Sequence, residues 1–216
     1  MYKNIIFDLD GTILNTLDDL ADAVNYACEV NGFHKYDIFD VKAMIGNGIG
    51  NLVARAIPNG KNNDKYTDVL STFFDYYSKH LLDKTQPYIG CLDTLRELKR
   101  KGIKLFVVTN KRNSFANKLV SNFYDDIFLL TLGEDADCNL PRKPDPTIVN
   151  LILEKYNLCK KETLFVGDSD VDKYTADNSG LDCCLVTYGF KAKDFLVNLN
   201  AKFTIDIFSD LLNIVL

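Results

Sequence analysis

The chain has 216 residues, of which 47% are hydrophobic and 25% charged, with a formal net charge of -5. That length is one large domain or a core carrying an insertion, and the composition is that of a soluble globular protein. The negative balance argues against nucleic-acid binding through a basic face and against attachment to anionic membranes.

The first element in chain order is a short apolar run, Ile5-Ile6-Phe7, read as a buried strand. Asp8-Leu9-Asp10-Gly11 follows at once, so two carboxylates leave the strand's end. Leu17, Leu20, Ala21, Val24 and Ala27 then recur at helical spacing, as do Val69, Phe73, Tyr76 and Tyr77. Gly46-Asn47-Gly48-Ile49-Gly50 breaks this helical stretch, and hinges are expected near Asn15-Thr16 and Asp83 to Pro87. Leu92, Leu95 and Leu98 mark a helix from Cys91 to Lys101, ended by Gly102. Strands are expected at Ile103–Val108, Ile127–Thr131, Thr163–Val166 and Cys183–Val186, with an edge strand at Lys202–Ile205. Asp145-Pro146 reads as a capping acid before a first-turn proline, opening a helix that runs to Tyr156. Near-continuous apolar strands alternating with helices predict an α/β fold, a parallel sheet covered on both faces. It comprises residues 1–15 and 84–216, with an all-helical domain at 16–83.

The start of the chain, Met1-Tyr2-Lys3-Asn4, enters the first strand without a leader-like segment, and no apolar stretch approaches a membrane span. Six cysteines (28, 91, 138, 159, 183 and 184) show no CxxC pair. They are expected to be free thiols in a reducing cytoplasm, neither a zinc site nor a disulfide framework.

Ligands of open parallel sheets bind beyond the carboxyl ends of the strands. Asp8 and Asp10 follow the first strand; Thr109, Asn110 and Lys111 follow the second; Gly167, Asp168, Ser169, Asp170 and Asp172 follow the strand ending at Val166. Any one of these sets is an ordinary solvated loop, but three on one edge form a site. Lys143, in the proline-framed loop Pro141 to Pro146, adds a point charge able to offset acids and a phosphate. Asp8 and Asp168 are hard oxygen ligands suited to Mg2+. A carboxylate can also attack phosphorus, and Asp10 would protonate a leaving alkoxide and deprotonate water. Thr109 and Asn110 would hydrogen-bond the transferring oxygens. Asp172, four residues from Asp168, would orient metal-bound waters or Lys143 from behind, with Ser169 beside it.

Phe7-Asp8-Leu9-Asp10-Gly11-Thr12, Val108-Thr109-Asn110, Lys143-Pro144 and Gly167-Asp168-Ser169-Asp170-Val171-Asp172, in that order, resemble the four motifs of the haloacid-dehalogenase-like hydrolases. The resemblance spans nearly the whole chain. It implies a Rossmann-like core, a Mg2+ cofactor and an aspartyl-phosphate intermediate. Asp8 would be the nucleophile and Asp10 the general acid/base. Asp8, the main-chain carbonyl of Asp10 and Asp168 would hold the metal, and Thr109, Asn110 and Lys143 the phosphate. The helical insertion resembles the family's mobile cap.

Ile45-Gly46-Asn47-Gly48, Pro87-Tyr88-Ile89-Gly90 and Thr109-Asn110-Lys111 are most similar to phosphoglycolate phosphatases, although Asn15-Thr16 departs from the commoner Asp-Ser. The implied substrate is a small phosphorylated metabolite. An acid at the Asp10 position favours phosphorus over carbon as the target. Sugar-phosphate mutases and pyrophosphatases share these catalytic residues, and a non-catalytic binding protein remains a further alternative. Gly46, Asn47, Gly48 and Arg55 are the candidate specificity residues of the cap. Their plain alternatives are a helix break and a solvated or ion-paired surface arginine. No cap lysine (Lys35, Lys42, Lys61 or Lys65) is marked as a Schiff base. His34 and His80 read as structural or exposed, and the Phe73 to Tyr77 aromatics as cap core. No sequence feature specifies an oligomeric state.

Overall fold

In the computed structural model, which describes residues 1–46, 48–135, 138 and 140–216, the first apolar run becomes strand β1 (Asn4–Phe7), buried along its whole length. In chain order there follow β2 (Leu14–Asn15), β3 (Gln86–Pro87), β4 (Lys104–Arg112), β5 (Leu130–Glu134), β6 (Thr163–Gly167), β7 (Asp182–Val186) and β8 (Phe203–Ile205). The helices are α1 (Leu17–Val30), α2 (Ile38–Met44), α3 (Ile49–Ala56), α4 (Tyr66–His80), α5 (Cys91–Arg100), α6 (Asn113–Tyr124), α7 (Thr147–Lys155), α8 (Asp170–Ser179), α9 (Lys193–Val197) and α10 (Leu211–Val215). The chain divides into two compact units, Met1–Leu14 with Pro87–Leu216, and Asn15–Gln86.

The first unit is a six-stranded sheet in the order β5-β4-β1-β6-β7-β8, with every neighbouring pair parallel. This is the doubly wound α/β arrangement, in which successive connections run outward on either side of β1. Asn4–Phe7 lie opposite Lys104–Val107 on one side and Thr163–Val166 on the other. The end of β1 at Phe7 is therefore level with Val107 of β4 and Val166 of β6, at the point where the strand order reverses. Both faces are covered, which is why the strands are apolar throughout. Ile6, Phe106, Val108, Phe165, Cys183 and Leu185 bury one face against Ile148, Val149 and Ile152 of α7. On the other face the ring of Phe7 meets Phe128 and Phe208, at 6.1 and 5.9 Å between centroids.

Several boundaries differ from the expected ones, and three of the differences are instructive. The strand expected at 127–131 begins at Leu130, because Ile127 belongs to the turn that closes α6, its N–H bonded to the carbonyl of Tyr124 at 2.9 Å. Ile127 is buried there, so an apolar run disguises a turn. The strand expected to stop at Val108 continues to Arg112, with a register shift against β5 between Thr109 and Arg112. Its polar last residues conceal that extension. Pro146 is itself the cap of α7, and Asp145 Oδ1 accepts from Thr147 N–H at 2.8 Å.

The second unit is built on α1 and α4, joined by α2 and α3. Val24, Ala27, Cys28, Val69, Phe73 and Tyr77 are buried at the spacing of single helix faces. Phe73 and Tyr77 stack at 5.5 Å, and Tyr26, Tyr76 and His80 form a second stack at 4.4 and 4.2 Å. Asp19, in the first turn of α1, is buried and accepts from the N–H groups of Lys84 and Thr85 and from the Thr85 hydroxyl. It anchors the returning chain within the unit. All six cysteines are free thiols. No helix among the described residues is long and apolar enough to cross a membrane.

Candidate active site

Asp8 continues directly from β1, its N–H bonded to the carbonyl of Val166 on β6 at 2.8 Å. Asp168 and Asp172 follow β6 and open α8. Oxygens of Asp8, Asp168 and Asp172 lie within 4.8 Å of one another, and all three residues are buried. Lys143 is buried among them, its Nζ 2.7 Å from Asp8 Oδ1 and 2.6 Å from Asp172 Oδ1.

Asp172 uses its other oxygen on the turn before it. Oδ2 accepts from the N–H of Asp168 and of Ser169 at 3.1 Å each and from Ser169 Oγ at 2.6 Å. Ser169 returns the interaction as the cap of α8, completing a reciprocal capping box. Asp172 is thus the residue that orients Lys143, and Ser169 fixes Asp172.

Burial pushes the Asp8 carboxyl up to about 7; Lys143 opposes this, while Asp172 and Asp10 add to it. Burial, then the charges of Asp172 and Asp8, hold Asp168 well above the usual carboxylate range. Burial works against the Lys143 ammonium, but Asp172 and Asp8 more than offset it and raise it above its ordinary value. Three buried acids against one shared lysine leave surplus negative charge. Among the described residues Asp168 has no ion pair; its Oδ2 accepts a single bond at 2.7 Å, from the N–H of Phe190. Hard oxygens, buried and short of positive charge, fit a divalent cation of the Mg2+ kind.

Asp10 lies apart from this group. Its Oδ1 is 2.8 Å from Nζ of Lys111, a lysine that is only 4% exposed. The acidic cluster is therefore completed by the Asp172 carboxylate and not by that of Asp10. Gly11 explains the close approach of the two strand ends. Its φ is +84°, and a Cβ there would stand 2.2 Å from Asp168 Oδ2.

The second motif is turned onto the third. The amide of Asn110 donates to the carbonyl of Lys143 at 3.1 Å and accepts from its N–H at 2.6 Å, clamping the lysine's main chain. Thr109 Oγ1 accepts from the N–H of Lys111 at 3.2 Å. In the helical unit, Gly46 and Gly48 both have positive φ, 127° and 83°. Arg55 Nη1 donates to the carbonyls of Met44 and Gly46 at 2.5 and 3.0 Å, holding its own loop. Asn47 lies outside the described residues.

Sequence reasoning missed two features. Lys111 was visible as the residue after Thr109-Asn110, but its burial depends on the extension of β4. The loop Thr187-Tyr188-Gly189-Phe190 follows β7 on the same sheet edge, so the strand-end rule reaches it once a fourth strand is counted. Phe190 supplies the N–H on Asp168, and Tyr188 OH donates to the carbonyl of Thr12 at 2.8 Å. A Cβ on Gly189 would meet Asp168 Cβ at 2.4 Å and the carbonyl oxygen of Gly11 at 2.5 Å.

Comparison with known proteins agrees with this geometry. The haloacid dehalogenase-like hydrolase family matches residues 5–186. A phosphoglycolate phosphatase of Psychrobacter arcticus is 34% identical, covering 98% of this chain and 95% of that protein. One of Vibrio vulnificus is 33% identical over 99% and 96%. A crystal structure from Lactobacillus delbrueckii subsp. bulgaricus, of a protein proposed to be a phosphoglycolate phosphatase, superposes with a TM-score of 0.93 at 33% identity, over 100% of this chain and 98% of that one. A family match across most of the chain, joined by relatives of near-equal length, shows that this chain belongs to the haloacid dehalogenase-like hydrolases and, among them, to the phosphatases that cleave phosphoric monoesters.

Proposed function

We propose that the protein is a Mg2+-dependent phosphatase of a small phosphorylated metabolite, with phosphoglycolate as the leading substrate, working through an aspartyl-phosphate on Asp8. The observation that carries this reading is the Asp8–Lys143–Asp172 arrangement beside Asp168. A nucleophile is held at 2.7 Å from a buried ammonium inside a cluster with too little positive charge. Asp8, Asp168 and the main-chain carbonyl of Asp10 would hold the ion. When bound, it would supply the charge that lets an anionic phosphate approach an anionic carboxylate.

In the first half-reaction an Asp8 oxygen bonds to phosphorus as the bond from phosphorus to the ester oxygen breaks. The bonding pair leaves with that oxygen, and the proton of the Asp10 carboxyl goes to it, releasing the alcohol. In the second, water bonds to phosphorus and gives its proton to Asp10. The bond to Asp8 breaks, releasing inorganic phosphate and restoring both acids. Lys143 neutralises charge on the transferring oxygens, with Asn110 holding its main chain and Thr109 donating beside it.

The relatives' activity supports phosphoglycolate, and the helical unit, residues 16–83 as read from the sequence, is proposed as the cap that closes over it. Gly46, Asn47 and Gly48 would meet the substrate, with Arg55 holding their loop. The free thiols fit a reducing cytoplasm. A panel of phosphate esters with Mg2+ tests the assignment. Phosphoglycolate should give the highest kcat/KM among glycolate, sugar and nucleotide phosphates and pyrophosphate. Isomerisation of a hexose phosphate with little phosphate release would reject it.

A further inference from the structure

We infer that Gly133 and Asn113 are positioning residues of the phosphate site, holding the bulge in β4 that aims Asn110 at the main chain of Lys143. The inference rests on the phosphatase reading, in which Lys143 neutralises the transferring oxygens, and both residues lie outside the four motifs.

The pairing of β4 with β5 defines the bulge. Thr109 lies opposite Gly133, and Arg112 opposite Glu134. Three steps along β4 therefore match one along β5, and Asn110 and Lys111 are the surplus residues. Bulges re-aim side chains and are frequent beside active sites. Asn110, outside the paired register, turns both ends of its amide on Lys143, donating to the carbonyl at 3.1 Å and accepting from the N–H at 2.6 Å. Asp8 and Asp172 fix the charged end of that lysine, and Asn110 fixes the loop that presents it.

The bulge is closed by β5 and by the first turn of α6. The Gly133 N–H donates to Asn113 Oδ1 at 3.0 Å. Asn117, one turn further along α6, donates to the same oxygen at 2.9 Å and to the Asn113 carbonyl at 2.8 Å. A Cβ on Gly133 would stand 2.3 Å from the Lys111 carbonyl oxygen, and 2.8 and 2.9 Å from Cα and N of Asn113. All three are main-chain atoms, so no side chain can swing aside to make room. Gly133 has no positive φ, so the demand is for close approach of two backbones and not for an unusual conformation. Any larger residue must push β5 or the bulge out of place.

The test reads the binding of inorganic phosphate by calorimetry in saturating Mg2+. Gly133→Ala should raise the dissociation constant by roughly tenfold or more. Asn113→Ala, which removes the acceptor without adding an atom, should raise it by roughly threefold and serves if the glycine variant does not fold. A merely structural loss would lower the fraction of molecules that bind and leave the constant unchanged. Asn110→Ala should also raise the constant. Adding Gly133→Ala or Asn113→Ala to it should change the constant by less than the added variant does in the parent, because all act through one contact. An unchanged constant in the folded single variants would overturn the inference, as would fully multiplicative losses in the double variants. Hydrolysis by the parent separates the levels. If the parent binds phosphate but releases none from its esters, the phosphatase reading fails and takes the inference with it. If it hydrolyses them while the variants keep the parent's constant, only the role of Gly133 and Asn113 falls.

Discussion

Asp19 and Asp168 are the same residue type, each almost inaccessible to solvent, at 1% and 3% exposure, yet they sit in opposite electrostatic settings. Asp19, in the helical unit, is surrounded by donors: two main-chain N–H groups and a hydroxyl converge on it at 2.8 to 3.2 Å. Asp168, at the sheet edge, receives one N–H and faces Asp8 and Asp172. The first carboxylate is satisfied by the fold that buries it. The second is not, and its raised affinity for a proton records the deficit. Burial of an acid is therefore a poor sign of function in this molecule. A buried acid whose neighbours are other acids is the informative case.

The sharpest way to break this contrast is to remove charge from the crowded set. Asp8→Asn should lower phosphatase turnover by at least about a thousandfold while leaving the fold intact, since it deletes the proposed nucleophile and relieves repulsion. Phosphate release within about tenfold of the parent would exclude Asp8 from nucleophilic attack. Removal of divalent ions comes next. Chelation should stop the reaction, and Mg2+ at about a hundred times its dissociation constant should stabilise the parent protein by about 2.7 kcal/mol in a thermal melt. The gain should be lost in Asp168→Asn. Undiminished protection in that variant would assign the ion to a different set of residues.

A smaller effect is expected at Gly189, which touches no substrate in this reading. Gly189→Ala forces the loop after β7 away from Asp168 and withdraws the Phe190 N–H, because the new Cβ would otherwise lie within 2.5 Å of Asp168 and Gly11. The Mg2+ concentration for half-maximal activity should rise about tenfold or more, with a smaller change in kcat at saturating Mg2+. An unchanged Mg2+ requirement would mean that Phe190 does not support Asp168.

These residues also mark what could be read before the structure. Asp8 and Asp168 were legible because each ends an apolar run, and a parallel sheet brings such ends level. Lys143 was legible from its proline frame. The extension of β4 was hidden because its last residues, Thr109 to Arg112, are polar and shift register, so hydropathy stops at Val108. The burial of Lys111 depends on that shift. Arg55 was legible only as either a cap cation for substrate or a solvated or ion-paired surface residue; its contacts are with two carbonyls of its own loop, a matter of side-chain reach that residue spacing does not encode. Asp19 looked like an ordinary acid in a helix's first turn. Only the return of the chain at Lys84 and Thr85, sixty-five and sixty-six residues later, gives it partners.

Asp19 supplies the mildest test and closes the contrast from its other side. Asp19→Ala removes the acceptor for the N–H groups of Lys84 and Thr85 and for the Thr85 hydroxyl, and leaves the two Thr85 groups buried without it. A loss of about 1–3 kcal/mol in unfolding free energy is expected, measured by denaturant titration. Because none of the deprived groups belongs to the proposed metal or phosphate site, the thermal gain from Mg2+ should match the parent's within error. If Asp19→Ala instead abolished that gain, the two buried carboxylates would not be independent. The division between an acid that holds the chain and an acid that holds an ion would then fail.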